Sequence, residues 1–498
     1  MKGPAMIYDA IVIGGGPAGM AAAVAARERG LERVALLDRA SYLGGVLPQC
    51  VHDGFGLHLY GQSLTGPEYA GTWEAEVYAC GVEVYLETAV LGIERVADSG
   101  KDRVDSRCYV VHAVGLELNG RCTLITYSVI VATGCRERTR GQLLIPGTRP
   151  VGVLTAGTAQ YMINIKNQLP GDRVVIVGSG DIGLIMARRL TLEGAEVRMV
   201  LGQEATGLMR NHIRCVQDFG IPIRYGWGIV SISGRGKLKG VSIAPILKDN
   251  SFDLARKEYL RCNVLLIACG LIPEREVLGG MSDRSSGIFI CGNARYPVDL
   301  VDEVTKQSIL IGSACADYVG ATVGTVKLRE LSAGLKAICG VEIEEPKGSV
   351  SEFLTGHGGV QSEKDATLVV CTVCPTGCVI EVSKDGRVEG SACERGKEFA
   401  AAEITRPMRV FTGTVTVAYD SGVARGRGGF EASGEPPRLA PVKTRGEVPK
   451  NSLINIARVC KKLSISPDMR RGDVACSNVA GTGVDLVLCA HADGLCHI

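Results

Sequence analysis

At 498 residues the chain is too long for one ordinary core and calls for several domains. With 46% hydrophobic and 22% charged residues and 65 glycines it reads as a globular protein rich in tight turns, which excludes overall disorder. A formal net charge of +2 leaves no global basic field for nucleic acid or an anionic membrane.

The first apolar stretch, Ile7 to Ala26, is interrupted by Asp9 and by Gly14-Gly15-Gly16, so it reads as strand, turn and helix and not as a signal peptide. No later stretch reaches the length of a charge-free membrane span, and a cytoplasmic protein is expected. Nineteen cysteines, an odd number in a large chain, argue against a secreted disulfide framework. Single ones inside apolar runs, such as Cys269 and Cys291, read as small core residues.

In chain order, Tyr8-Asp-Ala-Ile-Val-Ile-Gly14-Gly-Gly16-Pro-Ala-Gly19 is a strand running into a glycine turn. An alanine-rich helix follows to about Gly30, and a second strand, Val34 to Asp38, ends on an acid. A near copy starts at Asp172: Val174-Val-Ile-Val-Gly178-Ser-Gly180-Asp-Ile-Gly183, a helix to Gly194, then Val197 to Leu201. In each copy the first glycine permits the turn, the second lets backbone approach a pyrophosphate, and the third allows close helix–sheet packing. The helix N-terminus places unpaired N–H groups against the phosphates. Asp38 stands where a carboxylate accepts from a ribose hydroxyl, whereas the second copy puts Leu201, not an acid, in that place.

Three further strand-like segments end in small residues: Ser128 to Gly134, Val264 to Pro273, and Gly287 to Asn293. They place the second dinucleotide domain as an insertion in the first. Residues 341–366 read as a linker, and residues 367–485 form short β-like runs with a cysteine cluster of their own. The end of the chain, residues 486–498, is expected to be a loose tail. It contains Cys489, His491, Cys496 and His497, which are either spare side chains or a second metal site.

The cluster is Cys371-Thr-Val-Cys374-Pro-Thr-Gly-Cys378, closed from a distance by Cys393. Thiolates at these gaps select iron–sulfur, mononuclear iron or zinc.

Residues 1–340 resemble the two-dinucleotide-domain flavoproteins of the pyridine nucleotide–disulfide oxidoreductase superfamily. The matching pieces are the two fingerprints, Ala132-Thr133-Gly134, Gly270-Leu-Ile-Pro273 and Gly287-Ile-Phe-Ile-Cys-Gly292-Asn293. The resemblance implies an α/β fold with FAD held by Gly14, Gly16, Gly19, Asp38, Gly45, Thr133, Gly134, Gly292 and Asn293, and NAD(P)H by Gly178, Gly180 and Gly183. It implies an FAD domain of residues 1–150 and 265–340, with an NAD(P) domain of 151–264 inserted in it.

One family feature is missing. Disulfide reductases carry two cysteines after the Gly-Gly loop, but Gly44-Gly45-Val-Leu-Pro-Gln-Cys50-Val-His52-Asp53-Gly54 has one, and the second domain has no Cys-x-x-Cys. Electrons must leave the flavin another way. Cys50 and His52 are candidates for a reactive thiol and a proton donor beside it, or else a packed thiol and a surface imidazole.

The C-terminal part resembles a small domain of unknown function that accompanies FAD-dependent glycerol-3-phosphate dehydrogenases. The resemblance rests on the four cysteines, Arg406-Pro407-Met-Arg409, Pro441-Val-Lys443-Thr444 and Val448-Pro449-Lys450. It implies an electron-transfer subunit that passes electrons between NAD(H) and a dehydrogenase partner through an iron centre, in an oligomer and without membrane insertion. The alternative is a stand-alone NAD(P)H:acceptor flavoprotein whose C-terminal domain carries structural zinc and docks a partner.

Overall fold

A computed structural model describes residues 7–96, 108–116, 120–202, 210–281, 287–323, 366–371, 378–383, 386–391, 393–418 and 438–492. Residues 341–365 of the expected linker 341–366, Cys374, Cys496 and His497 lie outside them, and Ala366, its last residue, opens a strand.

The first unit begins with β1 (Ile7–Ile13), α1 (Pro17–Glu28) and β2 (Val34–Leu37). Helices α2 (Leu57–Tyr60) and α3 (Gly66–Ala79) lead to β3 (Glu83–Tyr85), and a meander follows through β4 (Thr88–Arg95), β5 (Tyr109–Gly115) and β6 (Gly120–Val131). The sheet order is β3-β2-β1-β6-β5-β4, parallel from β3 to β6. Strand β1 is apolar on both faces because both are covered. Ala10 and Val12 pack against the alanines of α1, while Ile11 and Ile13 pack against Tyr109 and Val111 of β5. Thr65 starts α3 with a capping box, its hydroxyl accepting from the Glu68 amide and the Glu68 carboxylate accepting from the Thr65 amide at 2.8 Å.

The chain crosses to the second unit along β7 (Cys135–Glu137). That unit contains β8 (Val153–Thr155), α4 (Ala156–Asn164), β9 (Arg173–Val177), α5 (Asp181–Leu192), β10 (Glu196–Gly202), α6 (Arg214–Gln217) and β11 (Ile223–Tyr225). An antiparallel trio covers it, β12 (Trp227–Arg235), β13 (Lys237–Pro245) and β14 (Glu258–Arg261), and β15 (Val264–Ile267) closes the sheet in the order β11-β10-β9-β15-β8. The second sheet therefore extends to Ile267, three residues beyond the boundary expected at 264. The return crossing, β16 (Leu271–Pro273), pairs antiparallel with β7, so the two connections run side by side. Strand β17 (Ile288–Ile290) then pairs with β6, and α7 (Val301–Val323) packs on α1.

Beyond residue 365 two further pieces are described, each with its own sheet. A hairpin of β18 (Ala366–Val370) and β19 (Val379–Ser383) with β20 (Val388–Glu389) packs under α8 (Glu394–Thr405) around Val369, Ile380 and Ala400. After the short β21 (Met408–Arg409) come β22 (Thr412–Val417), β23 (Leu439–Thr444), β24 (Val448–Pro449), α9 (Leu453–Lys462), β25 (Ser464–Ile465), β26 (Val474–Cys476) and β27 (Leu486–Leu488). Their five-stranded sheet has the order β25-β22-β23-β27-β26.

The expected loose tail is corrected here for its first seven described residues, 486–492. Leu486-Val-Leu488 pairs with β23, Cys489 is fully buried with its amide bonded to Pro441 O at 2.9 Å, and His491 Nδ1 accepts from the Arg471 amide. An apolar central strand cannot be left in solvent.

This last β unit docks on both nucleotide units. Lys443 Nζ meets Glu68 of α3 at 2.8 Å. On the second unit, Asp218, with a side chain 3% exposed, takes Arg409 at 2.8 Å and Lys450 at 3.2 Å, and Arg409 and Arg214 share Glu403. Burial alone would raise the Asp218 carboxyl, but bonds from Arg409 and the charges of Arg409 and Lys450 outweigh it and hold the group below the usual carboxylate range. No helix among the described residues is long and apolar enough to cross a membrane.

Candidate functional site: a cavity shared by both glycine fingerprints

A cavity of about 1440 Å³ opens between the two nucleotide units. Gly14, Gly16, Asp38, Gly45, Thr133, Gly134 and Asn293 line one end, and Gly180, Asp181 and His212 line another. Both fingerprints thus face one space, although 164 positions separate Gly14 from Gly178.

The glycines divide by what surrounds them. Gly14 has φ +109°, and a Cβ on Gly19 would lie 1.8 Å from Gly14 O, so these two serve the turn and the packing of α1. Gly16 and Gly180 are different, with extended backbone of φ −73° and −71°. A Cβ on Gly16 would meet only Gly45 Cα at 3.9 Å, and one on Gly180 would meet nothing within 4 Å. Neither is needed by the fold. Each keeps open a cradle at a helix N-terminus, and a pyrophosphate fits that cradle. Gly183 repeats the part of Gly19, its Cβ position 2.2 Å from Gly178 O.

Asp38 accepts the Gly15 amide at 2.6 Å and the Ala40 amide at 2.7 Å, which fixes its carboxylate at the strand end with lone pairs to spare for a ribose. Its counterpart in the second unit needs a correction. Gly178 N bonds Leu201 O as Gly14 N bonds Leu37 O, so Leu201 matches Leu37, and Gly202 takes the place of Asp38. A bulge between Val197 and Met199 adds one residue to β10 and causes the shift.

The loop Gly44–Gly54 lies directly on the first fingerprint, with Gly44 N bonded to Gly15 O at 2.8 Å. Cys50 is buried, its Sγ 3.3 Å from Val46 O and 3.8 Å from Gln160 Oε1, and burial pushes the thiol up to about 12. It is an S–H donor at neutral pH, not a thiolate. His52 is partly buried, with Nδ1 3.1 Å from Asp53 O. Burial first, then the nearby His212, lowers it to about 4, so its imidazole is neutral at physiological pH.

Residues that sequence reasoning missed complete this corner. His212 sits with its ring centroid 6.4 Å from that of His52 and its Nδ1 3.0 Å from Asp181 Oδ1. Asp181 is the first residue of α5, directly after Gly180, and Asp299 faces the same cavity with its carboxyl raised by burial and by Asp181. Cys135 also lines the cavity, its thiol raised by burial and moderated by a bond to Asn293. Asn293 Oδ1 accepts the Val298 amide at 3.0 Å. Asp181 alone carried a local signal, an acid on a helix N-terminus. The others meet only through tertiary folding.

The cysteine cluster lies elsewhere. Cys371 and Cys378 flank the turn between β18 and β19, with Cys371 N bonded to Cys378 O at 2.8 Å, and Cys393 is the residue before α8, which packs on that hairpin. Cys371 is buried, Cys378 half-buried and Cys393 exposed. Among the described residues no group of three His, Cys, Asp or Glu side chains is placed to hold a metal ion.

Comparison with known proteins bears on the nucleotide units. The chain is 30% identical over 297 residues to the HcnB subunit of hydrogen cyanide synthase from Pseudomonas protegens, covering 55% of this chain and 58% of that protein. It is 32% identical over 199 residues to an opine oxidase subunit of Agrobacterium tumefaciens, covering 39% and 36%. The chain thus spans between about a third and three fifths of these relatives. Among solved structures, thioredoxin reductase of T. acidophilum superposes with a TM-score of 0.49 at 18% identity, over 64% of this chain and 99% of that one. A protein family of unknown function (DUF1667) matches residues 431–490, which contain β23 to β27 and none of the four clustered cysteines. Residues 8–326 match the family model for pyridine nucleotide-disulphide oxidoreductase, and the chain belongs to that family of FAD-dependent oxidoreductases.

Proposed function

We propose that this protein is an electron-transfer subunit in which FAD occupies the Gly14–Gly19 fingerprint and NAD(P)H the Gly178–Gly183 fingerprint. The observation that carries the reading is the single cavity reached by both open cradles, at Gly16 and Gly180. When bound, the two cofactors supply hydride transfer between nicotinamide and flavin. The chain's own residues do the rest. The N-termini of α1 and α5 hold phosphates, Asp38 orients a ribose, and Thr133, Gly134 and Asn293 line the same cavity, with the buried Gly292 directly before Asn293. Cys50, as an S–H donor, and His52, as a neutral imidazole, are the groups able to hold or move a proton at the loop that covers the first fingerprint. The His212–Asp181 pair sets the charge beside His52.

The relatives support a role within a larger assembly, since the hydrogen cyanide synthase and opine oxidase proteins are both named as subunits. The partner in this proposal is a substrate-oxidising flavoprotein of the glycerol-3-phosphate dehydrogenase kind, as the C-terminal resemblance implies. An iron centre on Cys371, Cys374, Cys378 and Cys393 belongs to the same proposal and rests on the cysteine spacing and on the shared hairpin of Cys371 and Cys378.

Purified full-length protein, assayed for flavin and metal content and then mixed anaerobically with NADH, tests the reading. Bound flavin that bleaches, together with stoichiometric iron, is the expected result. Protein without flavin overturns the cofactor assignment, and stoichiometric zinc removes the iron centre.

A further inference from the structure

Three units of the fold meet at one buried arginine. Arg189, on the last turns of α5, is 6% exposed, and each of its bonds goes to a different place. Its Nε donates to Asn164 Oδ1 at 2.7 Å, at the end of α4. Its Nη2 donates to Thr414 Oγ1 at 3.1 Å, on β22 of the C-terminal β unit, and lies 2.8 Å from Glu193. Glu193 neutralises the charge and in turn faces Lys461 of α9 at 3.9 Å. Asn164, 3% exposed, continues the chain of bonds toward the first unit, its Nδ2 donating to Gln49 O at 2.8 Å. Gln49 Nε2 donates to Gln160 Oε1 at 3.1 Å, and that same oxygen lies 3.8 Å from Cys50 Sγ.

Each link is buried or half-buried, and none is needed to build a helix or a strand. The guanidinium is planar, and its donors fix Asn164 and Thr414 at set angles, which a lysine would not do. Deleting one partner leaves the others unsatisfied in a buried junction, so the links act together. The Gly44–Gly54 loop has few bonds of its own after Leu47, chiefly Cys50 N to Leu47 O at 2.9 Å and Val51 N to Gln49 O at 3.0 Å. From outside it is held by α4, by the Gly66 amide of α3 donating to Cys50 O at 3.1 Å, and by Ser63 Oγ accepting from the Gly54 amide at 3.0 Å.

We infer that Arg189 is a positioning residue through which the C-terminal β unit holds the Cys50–His52 loop in place over the cofactor cavity. The C-terminal β unit thereby acquires a task, that of bracing the loop from behind through Thr414, Arg189, Asn164 and Gln49, with Thr414 on β22, before the residues 431–490 that the family of unknown function matches. The part of this that concerns the flavin rests on the function proposed above. The bracing itself does not.

The test is amide hydrogen exchange in the full-length holoprotein, read at Cys50 and Val51, for Arg189→Met, Asn164→Leu and Thr414→Val. Asp218→Asn, in the other ion cluster of the same interface, is the control that weakens docking without touching the chain of bonds. Loss of one buried link is expected to speed exchange at Cys50 and Val51 about fivefold, and loss of Arg189 more than tenfold by order of magnitude. Asp218→Asn should leave these amides unchanged while lowering the thermal midpoint. Unchanged exchange in Asn164→Leu and Thr414→Val overturns the inference, and so does an equal rise in the control. Thr414→Val removes the hydroxyl that accepts from Arg189 at nearly constant volume, so it decides the matter even if Arg189→Met fails to fold. The rate of flavin bleaching by NADH separates the two claims. A loosened loop with an unchanged rate upholds the bracing and removes the loop from the proposed chemistry.

Discussion

Replacing Gly16 or Gly180 by alanine should separate cofactor binding from folding. Both residues have ordinary negative φ, and a Cβ would meet nothing closer than 3.9 Å at Gly16 and nothing within 4 Å at Gly180. The apoprotein should therefore fold normally, or gain roughly 0.4–1 kcal/mol from the lost freedom of the unfolded chain. A bound pyrophosphate needs the same space within hydrogen-bonding distance of the helix amides. The methyl forces it outward, and losing two charge-assisted bonds of about 1.5 kcal/mol each weakens affinity by about a hundredfold. Gly16→Ala should lose FAD, measured by flavin fluorescence on dilution. Gly180→Ala should keep FAD and lose NADH affinity, measured by titrating the bleaching. Gly19→Ala is the contrast, because its Cβ would sit 1.8 Å from Gly14 O and must disrupt the fold itself. A Gly16→Ala protein that binds FAD as tightly as the wild type would refute the cradle argument. So would a Gly180→Ala protein with an unchanged NADH response.

His52 is lowered to about 4, so protonation favours the unfolded chain, and the stability it confers is full above pH 6.5 and is lost as pH falls from 6.5 toward 4. The His52→Gln variant should lose less stability than the wild type across that interval, by a margin of order 2–3 kcal/mol; parallel urea titrations at several pH values read it, and identical slopes would contradict it. In protein stripped of metal by a chelator, the Cys50 thiol near 12 should resist iodoacetamide at pH 8 far longer than exposed Cys393, which peptide mass spectrometry would follow. Asp218→Ala takes the buried carboxylate from Lys450 and leaves Arg409 with Glu403 alone, a loss of about 3 kcal/mol that should release the C-terminal β unit to protease before the nucleotide units are cut.

What the sequence made legible is what lies close together along it. Both β–glycine–helix units could be read because strand, turn and helix are contiguous and each glycine has a distinct steric reason. The end of β10 was misread by one residue because a bulge is set by pairing with β9, which no local pattern reports. Leu486–Leu488 looked like part of a tail because three apolar residues gain meaning only beside β23. His212, Cys135 and Gln160 come from three separate segments, and only the fold brings them to one cavity. Arg189 reads as a solvated helical charge until Thr414 and Asn164 bury it. The missing second cysteine in the loop was, by contrast, plain from the sequence, and it redirected the chemistry away from dithiols.

The most direct measurement is anaerobic single-turnover reduction of the holoprotein by NADH, run before and after alkylation of its accessible thiols. Direct transfer across the shared cavity predicts full bleaching of the flavin by one equivalent of NADH, with no partner present and no change on alkylation. Flavin that stays oxidised, or that bleaches only while its thiols are free, would contradict it.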